Sequence, residues 1–104
     1  MGLNQVMTMY VKIYETEESV LIAVCDRDLI GNTYRDSGLK LEVTEEFFKG
    51  ELADADRVQT ALLQATTANI VGAQSIDAAI SCGAIEPESV VVIGGIPHAQ
   101  MFCV

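Results

Sequence analysis

The chain has 104 residues, half of them hydrophobic and a fifth charged. This length and composition indicate a folded domain with a single core, and they exclude a disordered, collagen-like or disulfide-dense chain. Fifteen acidic and six basic side chains give a formal net charge of −9. DNA and anionic membranes are therefore unfavourable partners, because both are negatively charged themselves.

The first half of the chain predicts strands. We expect a flexible lead-in over residues 1–8 and a single α+β domain over residues 9–104. Residues 10–14 alternate between polar and apolar side chains, which is typical of a strand with one solvent-facing side. Residues 20–25 are apolar throughout and predict a central strand covered on both faces. After a polar, irregular segment, alternation over residues 39–43 predicts a third strand.

Helix signals follow these strands. Thr44 and the two glutamates after it predict an N-cap and a favourable first turn, which Gly50 ends. Asp54 predicts the N-cap of a main helix, and residues 69–72 are expected to interrupt the helical pattern. The apolar positions of this helix recur at helical spacing: Val58, Ala61, Leu62 and Ala65.

A second main helix and a further strand complete the pattern. The apolar positions of the helix are Ala73, Ile76, Ala79 and Ile80, and Gly83 ends it. Residues 90–93 are wholly apolar and predict a second interior strand, which residues 94–97 end. Residues 101–104 are too apolar for a free tail, so we expect them to dock on the domain.

This order of elements predicts an α+β fold. We expect a two-layer sandwich in which about four strands form a mixed sheet and two main helices cover it. Both wholly apolar strands belong in the interior of such a sheet. The strand over residues 90–93 is therefore predicted to insert beside the strand over residues 20–25.

The charges are distributed unevenly along the chain. Every basic residue precedes position 58, and only three acidic residues follow it. We expect the helical layer to contact a second copy of the chain or another protein, because small uncharged side chains permit close approach without desolvating ions. A neutral, solvated face is the alternative. The polar residues concerned are Gln59, Thr60, Gln64, Thr67, Gln74 and Ser75.

RNA is a further candidate partner. It requires a local basic patch despite the negative net charge, and its binding would fall with moderate salt. The available residues are Lys12, Arg27, Arg35, Lys40 and Lys49.

The single histidine, His98, is a candidate for chemistry. Its ordinary pKa near neutrality suits proton transfer or metal ligation, while a ring hydrogen-bonded to its own turn is the alternative. If the two apolar strands are parallel neighbours, their ends bring Asp26 and Asp28 towards His98, where a carboxylate would orient the imidazole. These three residues are the candidate catalytic set of a small enzyme or metal-binding protein.

Two short motifs have both functional and structural interpretations. Asp26 and Asp28 suit a hard cation such as Mg²⁺ or Ca²⁺, but Arg27 between them favours ion pairing, and Asp26 also suits a hydrogen bond that caps the backbone of its own turn. The amides of Gly94 and Gly95 suit an anion, or the glycines permit a tight turn before Pro97. The sequence assigns no metal or cofactor.

Compartment signals favour the cytoplasm. Cys25, Cys82 and Cys103 form no CxxC pair and are odd in number, which favours reduced thiols that serve packing. The N-terminus lacks a signal-peptide pattern, and no segment is apolar enough to span a bilayer.

Four segments carry a family resemblance. They are MYVKIYE at 9–15, VCD at 24–26, ANIVG at 68–72 and IGGIPHAQ at 93–100. The chain resembles, from about Met9 to Gln100, an archaeal family catalogued as domain of unknown function 424. The resemblance implies a cytoplasmic archaeal protein with a compact α/β-type domain and no assigned enzyme activity. It also nominates eight motif positions: Asp26, Asn69, Gly72, Gly94, Gly95, Pro97, His98 and Gln100. The candidate ligand-binding residues among them are Asn69, Gly94, Gly95, Pro97, His98 and Gln100.

Overall fold

The structure is a computed structural model and describes residues 7–103. Over this range the strands are β1 Met9–Glu15, β2 Val20–Asp26, β3 Thr33–Asp36, β4 Leu39–Glu42, β5 Glu51–Ala53, β6 Thr67–Val71, β7 Val91–Ile93 and β8 Ile96–Phe102. The helices are α1 Glu45–Phe48, α2 Ala55–Leu62 and α3 Ala73–Ser81, with short 3-10 turns at Arg27–Leu29 and Pro87–Ser89. No helix in the described range is long and apolar enough to cross a membrane.

The strands form a six-stranded mixed sheet and a separate hairpin. The order in the main sheet is β5-β1-β2-β6-β8-β7, and β3 pairs with β4 in the hairpin. Only β2 and β6 are parallel among these pairs. The predicted α+β fold with a mixed sheet is confirmed, but the estimate of about four strands is wrong. β5, β6 and β8 were not predicted, and the predicted strand β4 belongs to the hairpin rather than to the main sheet.

The predicted position of the last apolar strand is also wrong. β7 lies at the edge of the sheet, where Val91 and Val92 are 49% and 57% exposed. The strand beside β2 is β6 instead. β6 contains residues 69–71, which are most of the segment predicted to interrupt a helix. Within β6, Ala68 and Ile70 enter the core while Thr67 and Asn69 face the other way. This period-2 alternation is short, and an adjoining helical pattern masks it.

The predicted helix caps and the predicted docking of the apolar C-terminal segment are confirmed. The Phe47 amide donates to Thr44 Oγ1 at 3.2 Å, and the Arg57 amide donates to Asp54 Oδ1 at 2.9 Å. The apolar tail docks as expected, because β8 extends to Phe102. Residues 1–6 of the expected lead-in and Val104 lie outside the described residues.

Both faces of the sheet bury apolar side chains. On one face α2 and α3 cover a core centred on Val24, Val58 and Ile70, none of which is exposed. Each such side chain contributes about 1.5–3 kcal/mol by leaving water. On the other face the segment over residues 27–48 packs Phe48 against the sheet. The predicted two-layer arrangement therefore gains a third, partial layer.

Gly72 forms the junction between β6 and α3. Its backbone adopts φ 108° and ψ 153°, a region that essentially only glycine occupies. A Cβ at this position would overlap the carboxyl group of Asp26, at 2.6 and 2.7 Å from its two oxygens. Close approach and backbone conformation both require glycine here.

Substitution of Gly72 by Ala is expected to destabilise the protein by more than about 3 kcal/mol, because backbone strain and steric overlap combine. Gly83→Ala is the matched control: Gly83 also has a positive φ, of 80°, but nothing lies within 4 Å of its missing Cβ. Its cost is therefore only about 1–2 kcal/mol. Urea unfolding of both variants measures the difference, and equal losses would contradict the steric part of this account.

Candidate functional site

Asp26 ends β2 and is almost fully buried, with 6% of its surface exposed. Its Oδ1 accepts hydrogen bonds from the Ser75 amide and the Ser75 hydroxyl, both at 2.8 Å. Its Oδ2 accepts from the Gln74 amide at 3.1 Å. Because these donors belong to the first turn of α3, the carboxylate acts as the missing cap of that helix and complements its dipole.

The sequence does not predict this cap of α3 by Asp26. Asp26 is predicted to hydrogen-bond the backbone of its own turn, but it makes no such bond to the 3-10 turn Arg27–Leu29 that follows it. Capping signals are sought within three residues of a helix start. Here the carboxylate and the Gln74 amide are 48 residues apart. The nearby signal is Gly72, which supplies no side chain and so leaves α3 in need of an external acceptor.

The structure does not bring His98 and Asp26 together. His98 lies in β8 opposite Val71, and Val71 lies opposite Cys25 in β2. The imidazole therefore shares a sheet face with Cys25, about 10 Å away across two strand spacings. Asp26 follows Cys25 and points to the opposite face, because successive side chains of a strand alternate. The hypothesis of a His–carboxylate pair required two parallel apolar strands, and β6 occupies the place of the second.

Asp28 belongs to the 3-10 turn Arg27–Leu29 that follows β2. It is exposed and lines an open groove of about 350 Å³ together with Thr8, Arg27 and Gln74. Asp26, the other aspartate of the suggested cation pair, is hydrogen-bonded to the first turn of α3. Among residues 7–103, no group of three or more His, Cys, Asp or Glu side chains is placed to hold a metal ion.

Cys25 is a buried thiol of low reactivity. Burial first, and then the charges of Asp26 and Asp28, raise the pKa of this thiol to about 12. The thiolate is the reactive form of cysteine. Cys25 therefore remains protonated at neutral pH and serves packing between the sheet and the segment that covers it.

Gly94 and Gly95 form the tight turn between β7 and β8. Both have positive φ, 58° and 83°, as a two-residue type I′ hairpin requires. The Gly94 amide donates to Asp36 Oδ2 at 3.3 Å, so a carboxylate of the chain itself meets this turn. The geometry thus follows the structural interpretation of the glycine pair.

Pro97 suits its place in β8 for a related reason. Its carbonyl accepts a hydrogen bond from the Gly72 amide at 2.8 Å. The Gly72 carbonyl is already bonded to the Ile76 amide inside α3, at 2.9 Å. An N–H at position 97 would therefore lack its ladder acceptor, and proline removes that donor.

The remaining candidate ligand-binding residues lie together on an exposed part of the sheet. Gln100 Nε2 donates to Asn69 Oδ1 at 3.1 Å across β6 and β8. By strand register, six residues of β2, β6 and β8 share this surface, which we name the open face: Leu21, Thr67, Asn69, His98, Gln100 and Phe102. The sequence nominates Asn69, His98 and Gln100. The alternation of β6 and β8 would have added Thr67 and Phe102, whereas the place of Leu21 follows only from the pairing of β2 with β6.

The open face is bounded by covered parts of the same sheet side. Over β1, the Tyr14 ring stacks on Phe47 of α1 with a centroid distance of 5.4 Å. Beyond His98, Leu41 and Val43 from the β3–β4 region pack on the sheet. The uncovered portion between them is uncharged when His98 is neutral, and partial burial lowers the pKa of this imidazole.

The helical layer offers less free polar surface than expected. Gln59 Nε2 donates to the Ala78 carbonyl at 3.1 Å and so joins α2 to α3. Ser75 is fully buried against Asp26. Thr67 lies in β6 and belongs to the open face rather than to a helix. Part of the uncharged character of this region therefore serves contacts within the chain.

Replacing Asp26 by Asn is expected to lower the free energy of unfolding by about 2 kcal/mol. The substitution removes negative charge from the start of α3 and sets an amide group against a backbone donor. Asp28→Asn is the control, because this exposed side chain should change stability by less than about 0.5 kcal/mol. Chemical denaturation compares the two, and losses of similar size would contradict the capping role.

The lowered pKa of His98 predicts a specific pH dependence. The unfolded chain binds this proton at higher pH than the folded chain does, so stability is lost as pH falls from the ordinary histidine pKa through the folded-state pKa. The unfolding free energy of the wild type should therefore decline, relative to that of His98→Gln, between pH 7.5 and pH 5. A difference that is constant or grows on acidification would show that burial does not disfavour the imidazolium.

Comparison with known proteins agrees with this architecture. A family model described as a protein of unknown function, DUF424, matches residues 14–104. A solved structure described as an uncharacterized conserved protein from Methanopyrus kandleri is similar, with a TM-score of 0.75, 25% sequence identity and coverage of 89% of each chain. No curated protein matches. Because the family model covers most of the sequence, the chain belongs to the DUF424 family.

Proposed function

We propose that this protein is a non-catalytic binding module that docks a basic protein partner on the open face. The observation that carries the proposal is the character of that face. Phe102 is 71% exposed although it is large and apolar, and Asn69 and Gln100 beside it are uncharged amides. Exposed aromatic side chains and a lack of charge are typical of the centre of protein interfaces.

The helical layer supports this role less well. Its exposed surface includes the carboxylates of Asp56 and Asp77, and a buried interface disfavours unpaired charges. Two of its neutral side chains, Gln59 and Ser75, already have partners inside the chain. The uncharged second half of the sequence is therefore better explained by the open face, which β6 and β8 largely form.

The charges around the open face favour a basic partner. Glu15, Glu17 and Glu18 are exposed in and beside the β1–β2 turn, at the end of the sheet where Leu21 lies opposite Thr67. A second copy of the chain would bring another net charge of −9. A protein with lysine and arginine around an apolar centre complements both the face and its rim.

A protein partner is also favoured over RNA. Three of the basic side chains are engaged within the chain: Lys12 with the Glu46 carbonyl, Lys40 with Glu42 and Arg57 with Glu51. Proteins that bind nucleic acid carry basic surfaces themselves. The family resemblance suggests a role in the assembly of translation or other ribonucleoprotein complexes in the cytoplasm, where a basic protein component would be the direct contact.

A peptide titration tests the proposal. Two synthetic 12-residue peptides carry the same alternating valines, with lysines at the other positions of one and glutamates in the other. NMR titration of the ¹⁵N-labelled protein should show binding of the lysine peptide, with shifts at Thr67, Asn69 and Gln100. The glutamate peptide should bind at least about tenfold more weakly, because the rim repels it.

Charge-matched variants separate the open face from the helical layer. Thr67→Lys and Thr60→Lys change the net charge equally, but only the first places a charge on the open face. The first should weaken binding by about tenfold, whereas the second should leave it within about twofold. Equal losses, or no binding of the lysine peptide, would contradict the proposed function.

A further inference from the structure

β8 extends beyond its outer neighbour. β7 pairs only with residues 96–98, and Val91 opposite His98 is the last partner on that side. The inner side of β8 is paired with β6 as far as Phe102. Within residues 7–103, no strand pairs with the outer edge over residues 99–102.

The direction of the backbone groups on this edge follows from two hydrogen bonds. The Gly72 amide donates to the Pro97 carbonyl at 2.8 Å, and the Cys103 amide donates to the Thr66 carbonyl at 2.7 Å. Residues 97 and 103 therefore direct their backbone groups towards β6. Because this direction alternates along an antiparallel strand, Gln100 and Phe102 direct their N–H and C=O groups outward.

A groove lies beside these outward groups. It has a volume of about 300 Å³ and is bounded by Gln100 and Phe102 on one side and by Ala84, Glu86 and Ser89 on the other. The exposed Glu86 carboxylate adds negative charge to its wall. An occupant with backbone donors and acceptors for β8 and a positive charge near Glu86 would complement this groove.

The opposite edge of the sheet, at β5, is protected against pairing with another chain, whereas the outer edge of β8 is not. At β5, Glu51 forms an ion pair with Arg57 at 2.7 Å, and charged side chains on an edge strand discourage pairing with another chain. Residues 99–102 of β8 contain no charge and no proline. An unprotected edge with apolar side chains is characteristic of strand addition.

We propose that an extended segment of the basic partner adds to the sheet as a strand along β8, in line with β7. Its backbone pairs with Gln100 and Phe102, and a lysine or arginine side chain meets Glu86. This inference rests on the proposed function and specifies its binding mode: main-chain pairing at the edge supplies affinity, while side chains on the neighbouring open face supply selectivity.

Alternate N-methylation of the lysine peptide tests the mode. Two methylated versions of the peptide are compared, one with methyl groups on the valine amides and one with methyl groups on the lysine amides. Because alternate amides of an extended strand face the same neighbour, only one of the two versions loses the amides that pair with β8. Pairing with β8 predicts that one methylated set binds at least about tenfold more weakly while the other binds like the unmodified peptide. Hydrogen exchange of the Gln100 and Phe102 amides should slow on binding.

Matched variants check the contact with Glu86. Glu86→Gln should weaken binding by about threefold, whereas Glu88→Gln, which lies in the adjacent turn outside the groove, should not. Equal binding of both methylated sets, with shifts retained at Thr67 and Asn69, would overturn strand addition and leave the proposed function standing. No binding of the unmodified peptide would overturn both.

Discussion

The carboxylate of Asp26 at the N-terminus of α3 is the interaction on which the rest of the structure depends. It joins the end of β2 to a helix that follows β6. Gly72 must lack a side chain for the carboxylate to fit, and the Gly72 amide in turn binds Pro97 in β8. One buried charge thus connects three adjacent strands and a helix, and this explains why residues of separate sequence motifs meet at one junction.

The motif residues divide into two groups with different physical roles. Asp26, Gly72 and Pro97 form the junction, where their chemistry serves capping and close packing. Asn69 and Gln100 face outward instead, and their amide pair contributes little to the core. Polar side chains on an exposed sheet face are available for recognition, which is why the open face and the adjoining edge of β8 support the proposed docking role.

Sequence patterns predicted the elements whose signals are local. Strong alternation identified β1 and β4, and the capping residues Thr44 and Asp54 identified two helix starts, because these signals act within a few residues. β6 and β8 were missed because Pro97 and a neighbouring helical pattern obscured their alternation. The run of apolar residues at 90–93 was placed in the interior because hydrophobicity does not distinguish a buried strand from an exposed edge. The position of Asp26 depended on the parallel pairing of β2 and β6, which no local pattern contains.

A double-mutant cycle between Asp26 and Ser75 tests the central claim that Asp26 is a structural cap. The unfolding free energies of the wild type, Asp26→Asn, Ser75→Ala and the double variant give the coupling between the two side chains. Direct bonding within a buried site predicts a coupling of about 1 kcal/mol or more. Additive losses would contradict the account, because they would show that the Asp26 carboxylate and the Ser75 hydroxyl in the first turn of α3 do not act together.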